Sequence, residues 1–220
     1  MRNLMKIGLM GGLLLAAGIS GVQAAEVGSK LAGLERPNLD YKTADAGTYV
    51  LDSSHASVVW KVWHMGFSHF AGRFDKITGT ATVKPDDLNK SGVVITVDSS
   101  SADTGVAKLD DELDGAEFFD ATKFPAITFT STKVELTGKT ADGKQQGKVY
   151  GMLSLRGVTK PVVLDAVFNG HGPNPMNQQE RMGFNATLTI KRSDFGMDHL
   201  VPLVSDDVEL EIAAEFSKAS

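Results

Sequence analysis

Two imidazoles and a thioether stand close together in KVWHMGFSHFAGRF, from Lys61 to Phe74: His64, Met65 and His69. That set could ligate copper or haem, with Met197 and His199 of FGMDHL joining by tertiary contact. Zinc sites usually show tighter ligand grouping or cysteines, and the chain has no cysteine. His64 lies in phase with Trp60 and Val62, so the favoured reading is an inward-facing histidine, hydrogen-bonded to a neighbour, that offers one polar contact inside an apolar wall. A satisfied core histidine comes next, and metal ligation by His64, Met65 or His69 comes last. Gly66 and Gly72 read as places where the chain bends or where another backbone approaches closely.

Other chemistry is weaker. Ser99, Ser100 and Ser101 precede Asp103, but there is no Gly-x-Ser-x-Gly elbow. Asp110, Asp111, Glu112 and Asp114 read as a solvated helix face, since they lack the spacing and glycine of an EF-hand loop. His55 and His171 sit by turns. No acid–base pair or nucleophile stands at a useful spacing, so the chain reads as a binding protein and not as an enzyme. No cofactor is expected.

The elements that would position these residues have a period of two. Val208, Leu210, Ile212, Ala214 and Phe216 alternate with polar residues in DDVELEIAAEF. The same alternation runs through Met182, Phe184, Ala186, Leu188 and Ile190; Val93, Ile95 and Val97; Val149, Leu153 and Leu155; Val162, Leu164, Ala166 and Phe168; and Val58, Trp60, Val62 and His64. Turn-rich breaks (KPDDLNKSG, TGKTADGKQQG, GHGPNPMNQQE) separate the runs. With TYVLD the count is eight or nine strands, which implies an all-β barrel or sandwich. One segment differs. Val106, Leu109 and Leu113 recur at helical spacing and predict a helix over 106–113, capped by Asp103 or Thr104. Phe118 and Phe119 follow it, as core or as ligand-facing rings.

The first 24 residues carry Arg2 and Lys6, an apolar run from Ile7 to Ile19, and Val22 and Ala24 before a cut. This is the pattern of a secretory signal peptide. Residues 25–47 read as a polar extension with a short helical piece before Pro37, and 48–218 as the β-domain. The full chain has a net charge of −5, and losing Arg2 and Lys6 makes the exported chain more acidic. Such a chain suits neither nucleic acid nor an anionic membrane surface. An outer-membrane barrel is a second reading of strands plus a leader. The low aromatic content (7%) and the end FSKAS speak against it.

Five motifs in order, HASVVWKVWHMGFSHFAGRF, SADT, AEFFDATKFPAITFTST, LSLRGVTKPVVL and KRSDFG, are similar to those of the YceI-like family of exported, lipocalin-like, polyisoprenoid-binding proteins. The resemblance runs from about Tyr49 to Phe216. It implies an eight-stranded antiparallel barrel with one helical segment near one end. It also implies an apolar channel for a polyisoprenoid or isoprenoid-quinone chain, held for transport or storage in the periplasm. The alternative is a periplasmic metal- or haem-binding or stress-related protein that uses the His64/His69 region. The expected channel wall is Val58, Trp60, Val62, His64, Phe74, Ile95, Val97, Phe119, Phe129, Leu153, Leu155, Phe184, Leu188, Ile212 and Phe216, with the strand of Phe129 least secure in register. Arg192 and Asp194 read as a structural pair or corner first, and as head-group contacts second. The helix departs from the family. It reads Leu109-Asp110-Asp111-Glu112 where relatives often carry an Arg-Asp-x-His-like pattern, so a neutral head such as a quinone or free alcohol is expected over a pyrophosphate. Transient contact with inner-membrane lipid or quinone proteins is expected, and family analogy allows a homodimer.

Overall fold

The computed structural model describes residues 36–219. The expected signal peptide and the helical piece before Pro37 lie outside the described residues.

The strands are β1 (Gly47–His64), β2 (Ser68–Phe74), β3 (Ile77–Val83), β4 (Gly92–Asp98), β5 (Ala102–Asp103), β6 (Ala126–Lys139), β7 (Gln145–Leu155), β8 (Val158–Pro173), β9 (Glu180–Lys191) and β10 (Asp207–Lys218). All of their pairings are antiparallel. They make an eight-stranded closed barrel. The first half of β1 pairs with β3 and the second half with β2, so β2 and β3 are consecutive pieces of one bent strand. The two-residue β5 only extends the edge of β2. β10 closes the cylinder against β1, from Tyr49↔Lys218 to Lys61↔Glu209. Closure leaves no long unpaired edge to invite another chain.

TYVLD is not a strand of its own. It continues through Ser53–His55 into the rest of β1, with a register irregularity between Leu51 and Ala56. Each such irregularity adds a residue out of step, so the face turned inward changes from odd to even numbers or back. In β1 the inward set passes from Leu51 to Ala56, Val58, Trp60 and Val62. In β6 it passes from Ile127 and Phe129 to Val134 and Leu136, across a shift between Ser131 and Lys133. The turn-rich breaks are also shorter than the composition implies, since Gly170–Pro173 and Gln145–Gly147 stay within strands.

The helix, α1, spans Ala107–Asp114. Leu113 is buried and Val106, at the N-cap, is exposed. Neither Asp103 nor Thr104 caps it. Thr104 instead donates its backbone N–H (2.8 Å) and hydroxyl (2.6 Å) to the Asp110 carboxylate, and Asp103 accepts from the Gly105 N–H. These short polar side chains stabilise the loop before the helix in place of the helix end.

Antiparallel topology sorts the connections between two ends. α1, the β1–β2 turn, the β7–β8 turn and the segment between β9 and β10 gather at one, here the helix end. Residues 36–46 and the β3–β4, β6–β7 and β8–β9 connections gather at the other, the strap end. There Asn38 makes a two-way backbone bridge with His171. Tyr41–Thr43 form a 3-10 turn, after Pro37. The strap is pinned by His171, whose ring nitrogens meet Glu180 at 2.7 Å and Thr43 at 3.0 Å. Tyr49 is fully buried nearby and donates its hydroxyl to the Asp45 carbonyl. Burial first, then the Glu180 and Asp45 carboxylates, push its phenol up to about 12.

Candidate functional site

The inward faces do not meet in a filled core. They enclose a cavity of about 750 Å³, within the range of roughly 300–1,000 Å³ typical of ligand sites. All fifteen wall residues read from the sequence line it: Val58, Trp60, Val62, His64, Phe74, Ile95, Val97, Phe119, Phe129, Leu153, Leu155, Phe184, Leu188, Ile212 and Phe216. Residues that the sequence reading left out also reach it. Tyr41 and Ala44 come from the strap, Pro85 and Leu88 from the β3–β4 loop, and Leu109, Glu112 and Leu113 from α1. Met197, His199, Leu200 and Val204 come from the segment after β9. Strand periodicity could find none of these, because loops carry no period and the helical period of Leu109 and Leu113 does not say what they face.

Large side chains would fill so narrow a cylinder if they pointed at its axis. Glycines on neighbouring strands let them lie flat. A methyl group at Gly72 would sit 2.2 Å from the Trp60 indole, and one at Gly151 would sit 2.4 Å from the Phe129 ring. Gly72 and Trp60 are direct cross-strand partners. The bore therefore stays open where Trp60 and Phe129 line it. Rings also cover the helix end. Phe119 meets Phe74 edge-on at 5.4 Å, and Phe118 meets His199 edge-on at 5.5 Å. Both phenylalanines are partly buried and line the cavity, so they belong to wall and core at once.

His64 lines the cavity only at its edge and not deep in the wall. It lies exposed at the rim, where its backbone bridges Val204. His69 is on the opposite face of the sheet, because Trp63 pairs with His69 and His64 with Ser68. Its ring stands edge-on to Trp63 at 4.1 Å. Met65 points out into solvent. The two imidazoles thus do not converge, and no group of three or more His, Cys, Asp or Glu that could hold a metal occurs among the described residues. Gly66 supplies the turn with a left-handed φ of 72°, and at Gly72 the close approach comes from the Trp60 side chain and not, as expected, from another backbone.

Arg192 does not pair with Asp194. It is buried, and its guanidinium donates to the carbonyls of Met197 (2.8 Å), His199 (2.7 Å), Val204 (2.9 Å) and Ser205 (2.9 Å). Desolvation lowers its pKa, opposed by the charges of Asp206 and Asp198. Asp194 pairs with Lys160 at 2.7 Å. Arg192 is therefore the internal strut of the 197–205 loop, the corner reading of KRSDFG. Arg156 ties the same end together by donating to the Gly196 and Ala116 carbonyls. The acidic helix splits its roles. Asp110 is the loop acceptor described above, Glu112 lines the cavity, and Asp114 is partly buried with one oxygen that finds no donor among the described residues. Desolvation, then the charges of Asp111, Asp98 and Asp110, raise the Asp114 pKa. Among the described residues the cavity lining includes no lysine, and its single arginine, Arg192, spends four donors on backbone.

A model of the YceI-like domain matches residues 49–216. A UPF0312 protein of Pseudomonas fluorescens is 39% identical over 179 residues, covering 79% of this chain and 88% of the relative. The crystal structure of a Campylobacter jejuni YCEI protein superposes with a TM-score of 0.62 at 28% identity, over 85% of this chain and 100% of that one. A polyisoprenoid binding domain from Saccharophagus degradans shares the fold, with a TM-score of 0.61 at 14% identity, over 80% of this chain and all of that domain.

Proposed function

The chain belongs to the YceI-like family, and from that premise we propose that it is an exported carrier or store for one isoprenoid chain, a polyisoprenoid or an isoprenoid quinone, held in the barrel cavity. The observation that carries this reading is the cavity of about 750 Å³ lined almost wholly by aliphatic and aromatic side chains. Packed protein interiors keep few voids larger than a water molecule, and a bore of this size supports a binding role. The naming of a structurally similar domain as polyisoprenoid binding agrees with it. Each buried CH2 gains about 0.8 kcal/mol. Ten such groups therefore outweigh much of the cost of immobilising a flexible chain, which is several kcal/mol.

The head group is read from the few polar atoms. Glu112 faces the cavity, and Arg192 is committed to backbone carbonyls. A pyrophosphate would meet an acid in a lining without lysine, whereas a quinone or an alcohol needs no counter-charge. The cargo exchanges with membrane lipid or with quinone proteins on the exported side of the inner membrane.

The test is mass spectrometry of an organic extract of protein purified without detergent from its own periplasm. A stoichiometric isoprenoid with an uncharged head is expected. A lipid-free protein carrying copper or haem would overturn the reading. Gly72→Val should drive the Trp60 indole into the bore, costing about 1–3 kcal/mol through overpacking. It should also lower isoprenoid binding at least tenfold, measured by titration with quinone.

A further inference from the structure

The charge distribution of the helix end is uneven. No Asp, Glu, Lys or Arg occurs from Val62 to Gly72 or from His199 to Ser205, in a chain where 22% of residues are charged. The fold brings these two stretches together. The Met65 N–H donates to the Leu203 carbonyl (2.7 Å), and the Ser205 N–H to the Trp63 carbonyl (2.9 Å). The Trp63 N–H in turn donates to the Ser205 hydroxyl (2.9 Å). The joined loops expose Trp63, Met65, Phe67 (87% exposed), Leu200, Val201 and Leu203 side by side. Exposed apolar residues scattered singly need no explanation, but a contiguous group marks a contact surface.

This surface is continuous with the cavity. Along β1 and the partner loop, His64 and Val204 border the cavity while Trp63, Met65 and Leu203 face outward. Leu200 does both. An apolar path thus runs from the bore over the rim to Phe67. What covers it must be uncharged and apolar. A membrane interface has this chemistry and favours tryptophan among its contacts. The acidic α1 beside the mouth disfavours anionic lipid.

We propose that the joined loops 63–67 and 200–204 are a docking surface that seats the helix end of the barrel on a zwitterionic lipid bilayer. A hydrocarbon cargo then passes between bilayer and bore without crossing water. The docking claim rests on the carrier reading for its purpose, but the two are measured separately.

Flotation of the mature protein with phosphatidylcholine vesicles tests docking. Wild-type protein is expected to float with the vesicles. The double variant Phe67→Ser, Leu203→Ser is expected to bind at least tenfold more weakly with an unchanged melting temperature, since neither side chain lines the cavity. Replacing part of the phosphatidylcholine with phosphatidylglycerol should not strengthen flotation. Cargo binding is read in a Trp63→Phe variant, whose remaining Trp60 lines the bore. An isoprenoid quinone added from ethanol should quench it. The double variant should take up quinone from ethanol as wild type does, and from vesicles at least tenfold more slowly. Failure of wild-type protein to float, equal flotation of the double variant, or a strict need for anionic lipid overturns docking. So does a wild-type dimer that the double variant dissolves without any vesicle binding, which assigns the patch to a second copy. Absence of Trp60 quenching overturns the carrier reading instead.

Discussion

At the strap end the chain closes itself with polar contacts of its own. Asn38 and His171 exchange backbone hydrogen bonds, His171 joins Glu180 to Thr43, and exposed ion pairs such as Lys218–Asp45 (2.6 Å) and Lys90–Asp87 (2.9 Å) ring the rim. Such exposed pairs add little stability singly, but they keep the end wet and charged. At the helix end Arg192 and Arg156 turn inward onto carbonyls, and beside the acidic α1 the joined loops 63–67 and 200–204 leave an apolar patch. One end therefore satisfies its hydrogen bonds against solvent. The other spends them on holding loops in shape, and exposes Phe67 and Leu203. On the proposed carrier reading, this difference would set where cargo enters.

The comparison breaks most sharply at Arg192. Arg192→Ala removes the donor to four carbonyls at once, and hydrogen bonds to charged groups are worth about 1.5–3 kcal/mol each before rehydration. A loss of about 2–4 kcal/mol in denaturant unfolding is expected, with hydrogen exchange rising first in residues 197–205. Arg192→Lys should recover only part of it, since an ammonium cannot reproduce the planar fork. At the other end, His171→Ala removes two side-chain hydrogen bonds, a cost of about 1–2 kcal/mol. Here exchange and proteolysis should rise within residues 36–46 while the helix end stays protected. Equal loosening of both ends by either variant would mean that the ends are not independent. The smallest effect belongs to Asp114. Its raised pKa means that the folded chain holds this proton more tightly than the unfolded chain does. Stability from this group therefore falls as pH rises through the folded pKa. Asp114→Asn should stabilise by about 0.5–1 kcal/mol at neutral pH, where the buried oxygen is charged and unpartnered. The gain should shrink in acid below the ordinary carboxylate range, as followed by melting temperature against pH.

Much of the channel was legible without coordinates. Alternation in DDVELEIAAEF and RMGFNATLTIK places Ile212, Phe216, Phe184 and Leu188 inward, because a strand with one wet face has no other stable orientation. The closed barrel and the expected ligand class came from resemblance in motif order, not from period. His64 shows the limit of periodicity. Its phase with Trp60 and Val62 is right and it does line the cavity, but phase says nothing of depth, and the strand ends there.

Local patterning thus determined which faces are apolar, where helix α1 lies and that the chain carries charge outside a set of greasy strands. Only the tertiary structure decided how far each strand's phase holds, because the irregularities at Leu51/Ala56 and Ser131/Lys133 arise in pairing with other strands, β10 and β7. It also decided that Trp60 and Phe129 lie flat on Gly72 and Gly151 and so leave a bore in place of a filled core. Arg192, read from the sequence as a partner for Asp194, binds a loop that comes afterwards in the chain. Such contacts join residues far apart in sequence or across strands, and their free energy exists only once the barrel has closed.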